Sequence, residues 1–143
     1  MATFGHVGLT VRNLDASLRF YRDVVRMTVE SDFALENGGF AKLTRNPAAA
    51  IKVVHLRSGP FQLQLVEYTA GGGAAQSIHH NNIGSPHMSF NVSDVDAKFR
   101  EVHGMPNAKI ISDIVEVVPG VRSFYTEDPD GVPVEFLQMM ARS

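Results

Sequence analysis

The chain contains no cysteine among its 143 residues. It can therefore form no disulfide, use no thiolate nucleophile and bind no metal through sulfur. Histidine, aspartate, glutamate and the amide side chains remain as strong metal ligands. Any metal site in this chain is consequently of the hard or borderline type.

Long apolar runs and a large net charge are also missing. No stretch approaches the length of a membrane-spanning helix, which needs about 20 apolar residues. The N-terminal Met-Ala-Thr-Phe-Gly-His has neither the basic n-region nor the apolar h-region of a signal peptide. The formal net charge is −2, which indicates neither a nucleic acid nor a membrane as partner. We expect a cytoplasmic, single-domain protein (residues 1–143) whose partners are small molecules or proteins.

The chain contains an internal repeat. Residues 6–19 align on residues 87–100 without a gap, at a constant offset of 87 − 6 = 81. The identical pairs are His6/His87, Val11/Val92, Asp15/Asp96, Ala16/Ala97 and Arg19/Arg100. We interpret this as a duplicated module with a histidine at its head. Module one covers about 1–69, a glycine-rich linker about 70–83, and module two about 84–143.

Each module is predicted to have the order βαβββ, so the fold class is α+β. In module one, a strand at 4–11 places His6 opposite Val7 and Leu9, and Asn13 is the expected N-cap of an amphipathic helix. The apolar positions of that helix are Leu14, Leu18, Tyr21 and Val25. Strands are predicted at 27–35, 51–56 and 61–68, with a turn at 36–39. Module two has predicted strands at 86–92, 109–118, 121–126 and 132–139, and a helix at 95–103.

One residue in the last strand of each copy could bind a metal together with the histidine of that copy. Glu135 is a carboxylate flanked by apolar residues, and Gln64 has the same place in a similar pattern, Leu63-Gln64-Leu65-Val66 beside Val134-Glu135-Phe136-Leu137. The two spacings from the histidines differ by ten residues, which we assign to longer loops around 37–50. If the copies pack about a pseudo-twofold axis, His6, Gln64, His87 and Glu135 converge. Two imidazoles, one amide oxygen and one carboxylate suit a divalent metal.

The sequence resembles the vicinal oxygen chelate superfamily, which includes glyoxalase I, methylmalonyl-CoA epimerase, extradiol dioxygenases and fosfomycin-resistance proteins. The resemblance covers essentially the whole chain. It is carried by His6-Val7-Gly8-Leu9-Thr10-Val11, Gln64-Leu65-Val66-Glu67, His87-Met88-Ser89-Phe90-Asn91-Val92 and the run from Phe124-Tyr125 through Asp128-Pro129-Asp130-Gly131 to Glu135. It implies paired βαβββ modules that form a U-shaped mixed sheet around a metal-binding cavity, often in a homodimer. The family's metal positions would be His6, Gln64, His87 and Glu135.

Within this superfamily the position of Gln64 separates the branches. Glyoxalase I usually has a glutamate there, methylmalonyl-CoA epimerase is similar to this chain in having a glutamine, and extradiol dioxygenases use only the other three positions. A single carboxylate leaves a divalent site net positive, which favours an enolate. Epimerases also place an acidic base near the start of the third strand, where this chain has only Asn-Pro-Ala-Ala-Ala at 46–50. Another acid, Glu30, Asp32 or Glu36, would have to replace it.

These features leave three functions open. The first is an isomerase, epimerase or lyase that uses one divalent ion (Fe, Mn, Co, Ni or Zn) to stabilise an enolate from a small carbonyl substrate. Its candidate catalytic residues are Glu135 or His55 as base and Tyr68 as hydrogen-bond donor. The second is an Fe(II) dioxygenase that uses the triad His6, His87 and Glu135. The third is a module that binds a drug or metabolite without catalysis. We expect the adjacent His79 and His80, in the linker, to be solvated.

Overall fold

The computed structural model describes residues 1–36 and 38–140, so Asn37 of the predicted turn at 36–39 lies outside the described residues. The chain divides into two compact units, one comprising Met1–Gln76 and the other beginning at Ser77. Each unit contains one mixed sheet, so the predicted α+β class is confirmed. Over the part of the chain described, no helix has the length and apolar character needed to cross a membrane.

The first unit is a four-stranded sheet with one helical segment on one face. Strand β1 pairs in parallel with β4, which pairs with β3 and then β2 in antiparallel fashion. The elements in chain order are β1 Val7–Thr10, α1 Leu14–Arg19, a π-helical segment Phe20–Val24, β2 Thr28–Leu35, α2 Gly38–Thr44, β3 Ala50–Ser58 and β4 Phe61–Ala70.

The first helix begins where predicted but winds differently. The Asn13 side chain accepts a hydrogen bond from the Ala16 amide at 2.9 Å, so the predicted N-cap is confirmed. From Phe20 the helix is π-type, and the Val25 amide donates to the Phe20 carbonyl at 3.2 Å. Leu14 and Tyr21 are buried as predicted, whereas Leu18 and Val25 are only half-buried. The buried positions are Leu14, Ser17, Phe20, Tyr21 and Val24.

The extra length of the first copy lies where the spacing predicted it. Helix α2 lies between β2 and β3, inside the interval 37–50 that had to contain the additional residues. In the second unit the strands Val115–Val118 and Val121–Glu127 are separated only by Pro119 and Gly120. The additional residues therefore form a short helix rather than an extended loop.

The second unit repeats this plan around helix α3. Strand β5 pairs in parallel with β9, β9 pairs with β8, and β8 also pairs with both β6 and β7. The elements are β5 Met88–Asn91, α3 Val95–His103, β6 Lys109–Ile110, β7 Val115–Val118, β8 Val121–Glu127 and β9 Pro133–Met139. Helix α3 has the predicted bounds, and the Asp94 side chain caps it by accepting from the Ala97 amide at 2.9 Å.

The predicted single strand at 109–118 is wrong, because it is interrupted. The Tyr125 amide of β8 donates to the Ser112 hydroxyl at 2.8 Å, so a side chain takes the place of a ladder carbonyl. The backbone leaves the sheet after Ile110 and rejoins it at Val115. The apolar residues around this gap, Ile110 and Ile111 at its start and Val115, Val117 and Val118 after it, made the two pieces look continuous in the sequence.

Each sheet buries one face against its own helix. In the first unit the buried strand residues include Leu56, Leu63 and Leu65, and in the second Phe124, Val134 and Phe136. Because strand side chains alternate, Gln64 and Glu135 lie on the opposite, half-buried faces.

The turn between β8 and β9 is held by a buried carboxylate. Asp128 is buried, and its Oδ1 accepts from the Asp130 and Val132 amides, each at 2.9 Å. We expect Asp128→Ala to lower the free energy of unfolding by about 2 kcal/mol, because two amides lose their acceptor. Asp128→Asn keeps that acceptor oxygen and should recover much of the loss. Urea denaturation measures both, and equal losses would show that the charge, not the acceptor, is what matters.

Candidate metal centre

In the first unit, His6 lies close to a direct neighbour of Gln64. Gly8 is the Cα partner of Gln64 in the parallel pair of β1 and β4. His6 lies one residue before β1, and its ring is close to that of His55, the hydrogen-bonded neighbour of Gln64. A Cβ placed on Gly8 would lie 3.5 Å from Gln64 Oε1, an ordinary van der Waals distance, so this oxygen is close to Gly8. The amide oxygen of Gln64 therefore lies over the strand that follows His6.

The second unit repeats this arrangement with His87 and Glu135. Ser89 is the Cα partner of Glu135 in the parallel pair of β5 and β9, and His87 precedes Ser89 by two residues. Gly8 and Ser89 differ by the same 89 − 8 = 81 positions as the two histidines. Gln64 and Glu135 therefore occupy equivalent places in the two sheets, as their sequence patterns predicted.

A chain of hydrogen bonds crosses three strands beside Gln64. His55 of β3 is the register partner of both Gln64 and Ser31. Its Nε2 lies 3.1 Å from Gln64 Nε2, and its Nδ1 lies 2.8 Å from the Ser31 hydroxyl. The His55 ring also lies 6.0 Å from the His6 ring and 5.6 Å from the Phe33 ring, measured between centroids.

In the second unit Glu135 contacts Tyr125, which in turn packs against His80. Tyr125 is the register partner of Glu135 on β8, and the Tyr125 hydroxyl donates to Glu135 Oε2 at 3.4 Å. His80 packs edge-on against Tyr125 with ring centroids 4.7 Å apart, and its ring lies 6.1 Å from the His87 ring. Burial chiefly, and then the adjacent Glu135 carboxylate, raises the pKa of Tyr125 above its ordinary value. Tyr125 is therefore a neutral donor over a wide pH range.

Comparison with known sequences decides the family. Residues 3–136 match the family model of the Glyoxalase/Bleomycin resistance protein/Dioxygenase superfamily. The chain belongs to this superfamily. A 2-epi-5-epi-valiolone epimerase from an Actinomyces species is 26% identical over 95% of this chain and 79% of its own length.

Two solved structures show the same fold. A glyoxalase family protein from Bacillus cereus has a TM-score of 0.86 at 16% identity and covers 99% of this chain and 96% of its own. The fosfomycin resistance protein FosX of Listeria monocytogenes, solved with Mn(II) and sulfate, has a TM-score of 0.64 at 16% identity, covering 96% and 93%. The tandem βαβββ fold of this superfamily is thus the fold of the chain.

The other residues predicted for catalysis lie apart from these clusters or are already paired. Tyr68 is four residues beyond Gln64 on β4, roughly 13 Å along the strand, and its ring packs on Phe40 of α2 at 6.2 Å. Glu30 binds Arg57 and also accepts from Gln62 at 2.8 Å. The Arg57 guanidinium and the Gln62 amide lower the pKa of Glu30, which makes it a weak base. Asp32 pairs with Val54, on the face away from Gln64.

Sequence reasoning missed three residues beside the predicted ligands, namely Ser31, His80 and Tyr125. Tyr125 had a signal, because Tyr125 and Glu135 lie at equal distances from Asp130, in the middle of the predicted turn. Likewise, His55 and Gln64 lie at equal distances along the sequence from the Gly59-Pro60 turn. His80 was expected to be solvated; it is exposed, yet its ring packs on Tyr125. No local pattern indicates that contact, because the preceding segment is irregular.

Each unit carries one pair of side chains of a type that binds divalent ions. Each unit, taken alone, offers one imidazole and one oxygen ligand at equivalent positions: His6 with Gln64, and His87 with Glu135. Among residues 1–36 and 38–140, no three His, Asp or Glu side chains form a metal-binding group. Two imidazoles, one amide oxygen and one carboxylate match the preferences of borderline ions such as Mn, Fe, Co, Ni and Zn.

The hydrogen bond to Glu135 makes a testable prediction about Tyr125. In metal-free protein we expect the Tyr125 phenol to ionise above its ordinary pKa, and Glu135→Gln to lower that pKa without fully restoring it, since burial remains. A raised folded-state pKa stabilises the fold below the ordinary pKa, and this contribution is lost as the pH rises through the folded value. Absorbance titration near 295 nm, with Tyr125→Phe to isolate the signal, measures it. An unchanged pKa in Glu135→Gln would contradict the interaction.

Proposed function

We propose that this protein is a divalent-metal-dependent isomerase of the epimerase kind, which moves a proton at a carbon next to a carbonyl group. The observation that carries the proposal is the equivalent placement of Gln64 and Glu135 beside their histidines. The proposed ligand set is His6, Gln64, His87 and Glu135, which contains a single carboxylate.

The family and its members support this proposal. The superfamily is mostly made of enzymes, and the Actinomyces relative that matches 95% of this chain is an epimerase. FosX, which shares the fold, was solved with Mn(II). We therefore assign His6, Gln64, His87 and Glu135 as the residues that hold the ion. When bound, such an ion supplies Lewis acidity to a carbonyl oxygen, and one carboxylate ligand leaves it net positive.

The residues of this chain divide the remaining work. We assign Glu135 as the proton acceptor, a role that requires a carboxylate oxygen not bound to the ion, because Glu30 is engaged by Arg57 and Gln62. Tyr125 donates to Glu135 and holds its carboxylate in one orientation. His80, whose ring packs edge-on against Tyr125, adds an imidazole next to this carboxylate–phenol pair.

Exchange with solvent deuterium tests the proposal. Metal-free protein is reconstituted separately with Mn, Fe, Co, Ni and Zn, and incubated in D₂O with hydroxy-ketones, cyclic polyol ketones and 2-substituted acyl thioesters. We expect deuterium at the carbon beside the carbonyl with at least one metal, none with His6→Ala, and full exchange with His79→Ala, whose side chain lies in an exposed loop.

The same experiment separates the other two functions. Oxygen uptake with Fe(II) and no deuterium exchange would identify a dioxygenase that uses His6, His87 and Glu135. Ligand binding without turnover, unchanged in His6→Ala, would identify a binding module. Exchange that is equally fast without metal would refute the metal-dependent mechanism.

A further inference from the structure

The hydrogen bonds of His55 bear on which atom of Gln64 faces the proposed metal. The imidazole lies between two partners on neighbouring strands, with Ser31 Oγ 2.8 Å from Nδ1 and Gln64 Nε2 3.1 Å from Nε2. All three residues are in register across β2, β3 and β4. We propose that His55 is a positioning residue that, held by Ser31, turns the carbonyl oxygen of Gln64 toward the proposed metal.

The donor and acceptor roles along this chain follow from its chemistry. The amide nitrogen of Gln64 can only donate, so His55 Nε2 accepts. A neutral imidazole has one donor and one acceptor nitrogen, so Nδ1 carries the hydrogen and donates to the Ser31 hydroxyl. Gln64 Oε1 is thereby directed away from His55, over Gly8 on β1. With the amide reversed, an NH₂ group would face that side, and NH₂ is no ligand for a cation.

This role differs from the one predicted for His55 from the sequence. A general base needs a ring nitrogen that can take a proton from the substrate, whereas both nitrogens of His55 have partners in the sheet. His55 therefore acts through Gln64. The consequence for metal binding depends on the function proposed above, but the orientation of the amide does not.

The first test needs no metal. In ¹⁵N-labelled metal-free protein at pH 8, long-range ¹H–¹⁵N correlation spectra distinguish the two neutral tautomers of each histidine. The resonances of His55 are those absent from His55→Phe. We expect the Nδ1-protonated tautomer in the wild type, and loss of its preference in Ser31→Ala. An Nε2-protonated His55 would overturn the proposal, because the amide would then be reversed.

The second test uses Mn(II) affinity, followed by electron paramagnetic resonance, in a double-mutant cycle. We expect His55→Phe, which keeps a ring but no hydrogen bonds, to weaken Mn(II) binding about 10- to 100-fold, as loss of a ligand's supporting partner does. In a Gln64→Glu background the same substitution should cost less than about twofold, because a carboxylate offers an oxygen in either rotation. Lys52→Ala, an exposed residue of the same strand, is the matched control and should bind as the wild type does.

The outcomes separate this proposal from the function on which its consequence rests. An equal loss in both backgrounds, or no loss in either, would overturn the positioning role. A wild type that binds none of the five metals but has the Nδ1 tautomer would refute the metal-dependent function and leave the amide orientation intact. Loss of Mn(II) binding in Lys52→Ala would show that strand β3 tolerates no substitution, and the tautomer spectrum would then decide.

Discussion

Glu135→Gln is expected to weaken Mn(II) binding by more than about 100-fold and to reduce proton exchange below detection. Glu135 is the single carboxylate in the proposed ligand set, so its loss removes the strongest charge interaction with a divalent ion. The loss should exceed the range of about 10- to 100-fold seen for residues that only support a ligand. The substitution keeps the size of the side chain and an oxygen that can accept from the Tyr125 hydroxyl. Calorimetry and deuterium exchange measure the two effects.

The matched control for this experiment is Glu116→Gln. Glu116 lies on β7 in the same unit, is exposed, and accepts from the Gly120 amide at 3.1 Å, which a glutamine oxygen can also do. We expect its metal affinity to equal that of the wild type. Equal weakening in both variants would point to a general effect of net charge. Undiminished binding in Glu135→Gln would remove Glu135 from the ligand set.

Phe136→Ala is expected to lower the free energy of unfolding by about 3–5 kcal/mol. Phe136 is 1% exposed and lies beside Glu135 on the opposite face of β9. Its ring centroid is 5.4 Å from that of Phe124 and 6.4 Å from that of Phe90, and Lys98 Nζ lies 5.0 Å from it. Removing the ring leaves a cavity that these neighbours fill only in part. For a chain of this size the melting temperature should fall by roughly 10 °C.

Phe4→Ala provides the comparison for that measurement. Phe4 is 69% exposed, so its truncation should change the unfolding free energy by less than about 0.5 kcal/mol. Calorimetry of both metal-free variants excludes any contribution from bound ions. A loss below about 1 kcal/mol in Phe136→Ala would mean that the aromatic cluster does not hold β9 in place. Glu135 would then depend on other contacts for its position.

The local pattern of the sequence was enough to find the repeat and most of its elements. Asn13 predicted the start of the first helix, because a capping side chain acts within three residues of its own position. Alternation placed Gln64 and Glu135 opposite the buried leucines and phenylalanines, since successive strand side chains point to opposite faces. The equivalence of Gln64 and Glu135 also came from pattern alone.

The remaining features of the fold and of the candidate site depend on hydrogen bonds and packing that local sequence patterns do not describe. In the π-helical segment and at the interruption after Ile110, an irregular hydrogen bond replaces a regular one. Helix and strand propensities do not predict such replacements. Likewise, the partners of the proposed ligands come from separate strands or from the irregular segment that contains His80.

The sequence by itself determined which residue types can hold a metal and which face of each strand carries them. Only the tertiary structure decided that Ser31 lies beside His55 and that His80 packs on Tyr125. The physical reason is that side-chain direction follows from the local period of a strand, whereas neighbours across strands depend on register, and a shift of one residue would replace every one of them.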